Sequence, residues 1–202
     1  MRDADLARLM EALAALTSAR GLDATGRELV RAGMELTGAR GGQLALRTGP
    51  EQGFEIRASA GLGDDDELFA VDLVSGGPSR AALSTPNEPI ATSSDLGRSW
   101  CVALAGPDGP VALAAFHGVR GEAGEAGGLL LLRAFARLAG GIVASALALE
   151  DAIELATTDA LTGLANRRSL DDRVRLEMSR ARGFGKSFSL LMIDLDHYKE
   201  VN

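Results

Sequence analysis

The sequence has few of the features that mark secreted, membrane-embedded or nucleic-acid-binding proteins. It contains one cysteine among 202 residues, so the chain cannot form a disulfide framework by itself. Its amino terminus has no apolar signal core, and its longest uncharged apolar stretch, Leu138–Leu149, is shorter than the roughly 20 residues that a membrane-spanning helix needs. A net charge of −7 argues against general binding to nucleic acid or to anionic membranes. We therefore expect a cytoplasmic protein that binds neither nucleic acid nor membrane.

Aromatic residues are also scarce, at 4% of the chain, whereas glycine is abundant, at 25 residues. The hydrophobic share of 46% is nevertheless that of a globular protein rather than a disordered one. We therefore expect a core built from Ala, Leu and Val. The length suffices for one domain with a substantial core and part of a second.

Two helices are predicted at the start of the chain. An apolar stripe within residues 3–19 predicts an amphipathic amino-terminal helix, which we assign to residues 1–20. A second helical pattern runs from about Asp23 to Thr37 and is followed by Gly38, a residue that commonly ends helices.

The following part of the chain, up to residue 118, has mainly strand patterns. Its clearest element is a hairpin in which two apolar runs flank Gly106–Pro110, where Pro107 and Asp108 suit the centre of a turn. The other predicted elements are strands at 43–47, at 54–60 and near 89–92, and a helix across Pro78–Leu83.

A long helical pattern then extends from about Gly128 to Thr157. Its apolar residues recur every three and four positions, which is typical of a heptad seam. At 1.5 Å per residue the helix would be roughly 45 Å long, more than a compact domain needs. We predict a connector or stalk through which the chain forms a homodimer. The seam consists of Phe135, Leu138, Ile142, Ser145, Leu149, Ala152 and Ala156.

The order of these elements predicts an α+β fold around an antiparallel sheet. Helix, helix, two strands, a mixed segment, a hairpin and a long helix together resemble a GAF domain, the small-molecule sensor module of bacterial signalling proteins. The resemblance covers residues 21–150 and rests on the order and lengths of the elements. It implies a sheet flanked by helices and a small-molecule ligand, whose identity the sequence does not indicate.

Two motifs after the long helix carry a second resemblance. Residues 159–168 read DALTGLANRR and resemble the opening motif of GGDEF domains, D-x-L-T-G-L-x-N-R-R, at every fixed position. Residues 190–202, LLMIDLDHYKEVN, are similar to the first strand and loop of that family. The resemblance implies the first helix and strand of a GGDEF domain over residues 158–202. The family makes cyclic di-GMP from two GTP molecules.

Asp194 is the candidate residue with the most definite chemistry. It follows Ser187–Ile193, an apolar run typical of a short buried strand. Mg²⁺ is a hard cation that prefers oxygen ligands and accompanies phosphates in nucleotidyl transfer. The resemblance implies that Asp194 and the backbone carbonyl of Leu195 bind Mg²⁺. It further implies GTP contacts, to the triphosphate and to the guanine edge, from His197, Tyr198, Lys199 and Asn202.

The resemblance assigns a structural role to the first motif. Asp159, Asn166, Arg167 and Arg168 would cap and hydrogen-bond the junction between stalk and catalytic domain. The family's second metal-binding carboxylate lies in the G-G-D/E-E-F hairpin, and that sequence does not occur in residues 1–202. We therefore expect these residues to be an amino-terminal fragment that is inactive alone. We also expect the residues beyond about Thr158 to pack poorly.

Two functions are compatible with these patterns. The first is a sensor-regulated diguanylate cyclase, in which a ligand of the GAF domain changes how the stalk helices pack. The second is a non-catalytic GAF sensor or dimerisation module with an inert GGDEF remnant. A phosphodiesterase domain that follows the GGDEF domain is a third possibility.

Four further features favour ordinary explanations. We interpret Asp64–Glu67 as a solvated loop or helix start, because it lacks the alternating ligand spacing of a calcium loop. We interpret Cys101 as a buried core thiol rather than a chromophore attachment site, and His117 as a turn residue rather than a haem ligand. Gly185–Ser187 is not a phosphate-binding loop, because Arg180 stands where that motif needs its first glycine.

Overall fold

The computed structural model describes five stretches of the chain and divides into two compact units. The units are Met1–Glu150 and Asp151–Asn202. The described stretches are residues 3–47, 53–62, 77–94, 97–119 and 122–194.

The first unit begins with two helices, α1 (Asp3–Ser18) and α2 (Leu22–Thr37). α2 ends at Gly38, whose left-handed backbone (φ 69°) directs its N–H to the carbonyl of Met34. Glycine adopts this conformation without a steric cost, and its position explains where the helix stops. Both helices lie where the hydrophobic pattern predicts them.

One antiparallel sheet of five strands follows. The strands are β1 (Gly41–Arg47), β2 (Phe54–Ala60), β3 (Ile90–Ser94), β4 (Gly97–Gly106) and β5 (Gly109–His117). Their order in the sheet is β2-β1-β5-β4-β3. A short helix, α3 (Gly77–Ser84), precedes β3, and the β4–β5 hairpin turns at Pro107 and Asp108. The predicted α+β fold around an antiparallel sheet is therefore confirmed.

The long helix α4 (Glu122–Thr157) has 36 residues and is about 54 Å long at 1.5 Å per residue. The sequence predicted its start at about Gly128. The structure begins the helix at Glu122 instead. Gly128 is buried at the end of α2, where an added Cβ would lie 3.4 Å from the carbonyl oxygen of Leu36. Gly128 thus lies inside the helix, against the end of α2.

The two faces of the sheet carry cores of different character. The first face belongs to a core that it shares with α1, α2 and α4, and it holds large side chains such as Leu44, Leu104 and Phe116. The second face carries α3, which packs over β3, β4 and β5. Its buried hydrophobic residues are Ala45, Ala82, Cys101, Ala103, Leu113 and Ala115.

α4 supplies much of the first core. Leu132, Phe135, Ala139 and Val143 are buried in it. Within the described residues, Gly127–Thr157 is also the one helix long and apolar enough to cross a membrane. Its most apolar 18-residue segment has a mean hydropathy of 1.6, and 39% of that segment is buried inside the protein. A helix that forms part of a protein core meets the same criterion of length and composition.

The predicted heptad seam of α4 divides between the core and the surface. Phe135 is 1% exposed and belongs to the core, so the seam prediction is wrong at this position. Ile142 is partly buried against the same core. Leu138 and Leu149 are 52% and 58% exposed, and Ile153, which was not part of the predicted seam but lies next to it, is 54% exposed. The exposed part of the seam therefore begins at Leu138.

Candidate functional site

A compact loop follows α4 and contains the first motif. The carboxylate of Asp159 accepts hydrogen bonds from the N–H groups of Leu161 (3.2 Å) and Thr162 (3.0 Å) and from the hydroxyl of Thr162 (2.9 Å). The backbone carbonyl of Asp159 also accepts a bond from the N–H of Gly163 (2.9 Å), which has φ 69°. One residue thus organises the turn from both its side chain and its backbone.

Asn166 connects the two helices on either side of this loop. It is the N-cap of α5 (Arg167–Phe184), and its Oδ1 accepts a hydrogen bond from the N–H of Ser169 at 3.0 Å. Its Nδ2 donates to the carbonyl oxygen of Ala156, in the last turn of α4, at 2.8 Å. The side chain therefore satisfies one unpaired backbone group at each helix end.

Removal of the Asn166 side chain is expected to loosen the start of α5. Asn166→Ala loses both bonds, and hydrogen exchange at the amides of Ser169 and Leu170 should accelerate about tenfold or more, since a cap alone contributes about 1 kcal/mol. Asn166→Asp keeps the acceptor for Ser169 and loses only the donor to Ala156, so its exchange rates should be intermediate. Equal rates in all three proteins, measured by NMR, would contradict this role.

Asp159 is ionised more readily than an ordinary aspartate. Its pKa is lowered, first by the hydrogen bond from the Thr162 hydroxyl and then by the backbone N–H groups of Thr162 and Leu161. Each of these bonds favours the charged carboxylate.

Acid is expected to weaken this loop. Because the pKa of Asp159 is lowered in the folded protein, its contribution is present above the unfolded pKa and is lost as pH falls through the folded value, below about pH 4. The Thr162 amide resonance should therefore titrate with a midpoint below the ordinary aspartate value. Asp159→Asn keeps an acceptor oxygen but cannot ionise, so the titration should vanish. A midpoint at or above the ordinary value would refute the assignment.

Arg167 and Arg168 lie in the first turn of α5 and are exposed. Together with Asp171, Asp172 and Arg175 they line an open depression of about 500 Å³. Charges of both signs are interspersed there, so the depression does not present a uniformly basic surface to a phosphate.

The segment after α5 differs from the prediction. The sequence predicted a buried strand over Ser187–Ile193, but the described residues 186–194 adopt neither helix nor strand. Leu191, Met192 and Ile193 are 81%, 86% and 78% exposed. A strand needs a partner for its backbone groups, and the described part of this unit supplies none. The expectation of poor packing beyond about Thr158 agrees with α5, which has no buried residue.

The predicted metal and GTP residues lie mostly outside the described residues. Asp194 is described, whereas Leu195, His197, Tyr198, Lys199 and Asn202 are not. Within the described stretches, no group of three or more His, Cys, Asp or Glu side chains is placed to hold a metal ion.

The candidate residues of the first unit that the structure describes, Cys101 and His117, are buried side chains of the sheet. Cys101 is 3% exposed in β4, as predicted, and burial raises the pKa of its thiol to about 11, although a hydrogen bond with Ser79 lowers it. A thiol with this pKa stays protonated at neutral pH and is a poor nucleophile.

The turn predicted for His117 is wrong. His117 is the last residue of β5 and is 5% exposed, and its Nδ1 lies 3.1 Å from Ser99 Oγ. Asp64–Glu67 lies outside the described residues.

Sequence reasoning missed Gln43. This residue is 3% exposed in β1, and among the described residues its Oε1 has no hydrogen-bond partner. The available signal was a single amide inside the otherwise apolar run GGQLAL.

Residues 156–202 match the family model of the diguanylate cyclase GGDEF domain. Diguanylate cyclase DgcP of Pseudomonas aeruginosa and response regulator PleD of Caulobacter vibrioides are each 43% identical over 54 residues, 27% of this chain. The matches cover 8% of DgcP and 12% of PleD, so this chain spans a small part of their length. A Streptomyces griseus protein named "Uncharacterized protein in hutH 5'region" is 44% identical over 72 residues, 34% of this chain and 30% of that protein.

The preceding part of the chain resembles GAF domains of known structure. The GAF domain of a phosphoenolpyruvate-protein phosphotransferase from Acinetobacter has a TM-score of 0.57 at 14% identity and covers 75% of this chain and 99% of that one. Its counterpart from Coxiella burnetii has a TM-score of 0.57 at 13% identity, with 73% and 96% covered. At these identities the likeness establishes the fold.

These findings define a protein in which a GAF fold precedes a segment that matches the GGDEF family model. Both resemblances seen in the sequence are thereby confirmed. The long helix α4 lies between the GAF-like sheet and the GGDEF motif.

Proposed function

We propose that the protein is a sensor-regulated diguanylate cyclase, in which a GAF-fold sensor controls a GGDEF domain that converts two GTP molecules to cyclic di-GMP. The observation that carries the proposal is the motif DALTGLANRR at 159–168, inside the segment that matches the GGDEF family. Residues 1–20 would form an amino-terminal helix, 21–150 the sensor, with α4 continuing as a stalk, and 158–202 the beginning of the catalytic domain. We place the protein in the cytoplasm, without nucleic-acid or membrane partners.

The proposed chemistry assigns roles to the end of the chain. Asp194 and the Leu195 carbonyl would bind Mg²⁺, which in such a domain neutralises phosphate charge. Because residues 1–202 lack a G-G-D/E-E-F sequence, we propose that they are inactive by themselves. The proposed GTP contacts are His197, Tyr198, Lys199 and Asn202.

Dimerisation is part of this proposal. A GGDEF domain holds one GTP, so two domains must face each other to join two of them. The exposed apolar residues Leu138, Leu149 and Ile153 of α4 would supply the contact between two copies. A small molecule that binds one packing of the helices better than another would shift the equilibrium between the two arrangements.

The first test is the coding sequence after the Asn202 codon in the source genome. If it encodes a G-G-D/E-E-F hairpin at the family's spacing, the longer protein should form cyclic di-GMP from GTP and Mg²⁺. In that protein Asp194→Asn should abolish turnover and leave folding unchanged. Residues 1–202 alone should show no turnover. A stop codon directly after Asn202 would overturn the catalytic proposal.

The alternative is a non-catalytic sensor or dimerisation module with an inert GGDEF remnant. The absence of a buried residue in α5, and of regular structure over the described residues 186–194, favours it for residues 1–202 taken alone. Under this alternative the longer protein would bind a ligand and dimerise without turnover. A phosphodiesterase domain further along would appear in the same coding sequence.

A further inference from the structure

The loop that follows α3 is anchored to β4 by one residue, Asn87. Its backbone N–H donates to the carbonyl oxygen of Ala103 at 2.7 Å, and its Oδ1 accepts a hydrogen bond from the N–H of Ala105 at 3.1 Å. Among the described residues, Asn87 is the one non-glycine residue with a positive φ, 65°. Asparagine tolerates this left-handed conformation better than most residues do. The loop is therefore fixed to the strand three residues after α3 ends at Ser84.

Ala105 lies where β4 meets α4. The register between β4 and β5 shifts between Leu104 and Ala105, so the strand has a local irregularity at this point. Gly140 of α4 approaches the backbone of Ala105 so closely that a Cβ would not fit between them. A Cβ on Gly106, the next residue of β4, would lie 2.9 Å from the Cβ of Ala144 in α4. The strand and the helix are thus in direct backbone contact, and closely packed contacts of this kind transmit displacements.

A second connection joins the same loop to α4. Glu88, the residue after Asn87, forms an ion pair with Arg133, which lies two helical turns before Gly140. The two side chains are 35% and 49% exposed, and exposed ion pairs contribute little to stability. The stronger connection between α3 and α4 therefore runs through Asn87 and Ala105.

We propose that Asn87 couples α3 to α4, so that a displacement of α3 moves the backbone of Ala105 and, through it, the helix at Gly140. Asn87 is then a positioning residue for the long helix. As a route of regulation this inference rests on the proposed sensor function, because it names the residues through which a change at α3 reaches α4. The coupling itself is a property of the first unit and can be measured without turnover.

Hydrogen exchange of the backbone amides, followed by NMR, tests the coupling. Ala81 is exposed in α3, and Ala81→Gly should accelerate exchange in α3 about fivefold, because glycine is the poorer helix former. The amides of residues 139–142 in α4 should accelerate about threefold or more in the same variant. Ala14→Gly, which makes the same change at an exposed position of α1, should accelerate exchange in α1 and leave residues 139–142 unchanged. No response of residues 139–142 to Ala81→Gly, or an equal response to both substitutions, would overturn the proposal.

Variants of Asn87 locate the coupling. Asn87→Gly keeps the left-handed backbone and removes only the acceptor for the N–H of Ala105. In this background Ala81→Gly should accelerate exchange in α3 as before and no longer affect residues 139–142. Asn87→Asp keeps an acceptor oxygen and should keep the response of α4. An unchanged response in Asn87→Gly would show that the side chain does not carry the coupling.

Arg133→Gln separates the two connections. It removes the ion pair with Glu88 and should leave the response of residues 139–142 to Ala81→Gly largely intact. Loss of the response in Arg133→Gln would assign the coupling to the ion pair and contradict the proposal. If Asn87→Gly does not fold, the comparison of Ala81→Gly with Ala14→Gly and the Arg133→Gln result still decide. All of these measurements use residues 1–202, so a negative result leaves the turnover test of the cyclase unaffected.

Discussion

Gly140→Ala is expected to destabilise the first unit by about 3 kcal/mol, although alanine is the better helix former. Gly140 lies in α4, buried where the helix crosses β4. A Cβ there would overlap the carbonyl oxygen of Ala105 and lie 2.9 Å from its carbonyl carbon and 3.0 Å from its nitrogen. All three are backbone atoms of β4, which pairs with β5 here (Ala105 with Pro110), and the N–H of Ala105 also donates to Asn87 Oδ1 at 3.1 Å, so they cannot move aside as a flexible side chain could.

The neighbouring glycine provides the control. Gly141 is exposed, and an added Cβ would meet no atom within 4 Å. Gly141→Ala should therefore stabilise the protein by about 0.5–1 kcal/mol, through helix propensity alone. Urea unfolding of both variants should give midpoints on opposite sides of the wild type. Changes of the same sign would show that α4 does not lie this close to β4.

Leu149→Asp is expected to weaken the proposed dimer strongly while leaving the monomer folded. Leu149 is 58% exposed in the single chain, so an aspartate there remains in water. In a dimer built on the exposed α4 seam, the same substitution would bury a carboxylate from each copy. The dissociation constant should rise about hundredfold, which corresponds to about 3 kcal/mol, and sedimentation velocity measures it directly.

Leu130→Asp is the matched control for this experiment. Leu130 is 47% exposed on the same helix but lies about 100° around it from Leu149. It should dimerise like the wild type. Unchanged dimerisation of Leu149→Asp would refute the seam, and in a longer, catalytic protein turnover should fall together with dimerisation.

The elements that local sequence determines were predicted correctly. α2 ends at Gly38 because that residue adopts a left-handed conformation, and the β4–β5 hairpin turns at Pro107 and Asp108 because those residues favour turns. The motif at 159–168 was recognisable because its residues are specified one by one. In each case the residues that determine the element lie within it or directly beside it in the sequence.

The wrong predictions concern elements whose structure depends on contacts with residues distant in the sequence. α4 begins at Glu122, ahead of the predicted start at about Gly128, and Gly128 lies within the helix against the end of α2. His117 is a strand residue because Gly41 and Ser99 pair with it from two other strands. Ser187–Ile193 has the composition of a strand but lacks a neighbour to pair with in the described residues. Gln43 escaped notice because sequence alone does not reveal which hydrogen bonds a buried amide lacks.

The Asn166 connection has a mechanical consequence. The Asn166 side chain is hydrogen-bonded to the last turn of α4 and to the first turn of α5 at the same time, while hydrogen bonds to Asp159 fix the loop between them. These bonds make the connection between the two helices rigid. A rotation of the final turn of α4 would therefore rotate α5 with it, because the intervening loop is too constrained to absorb the change.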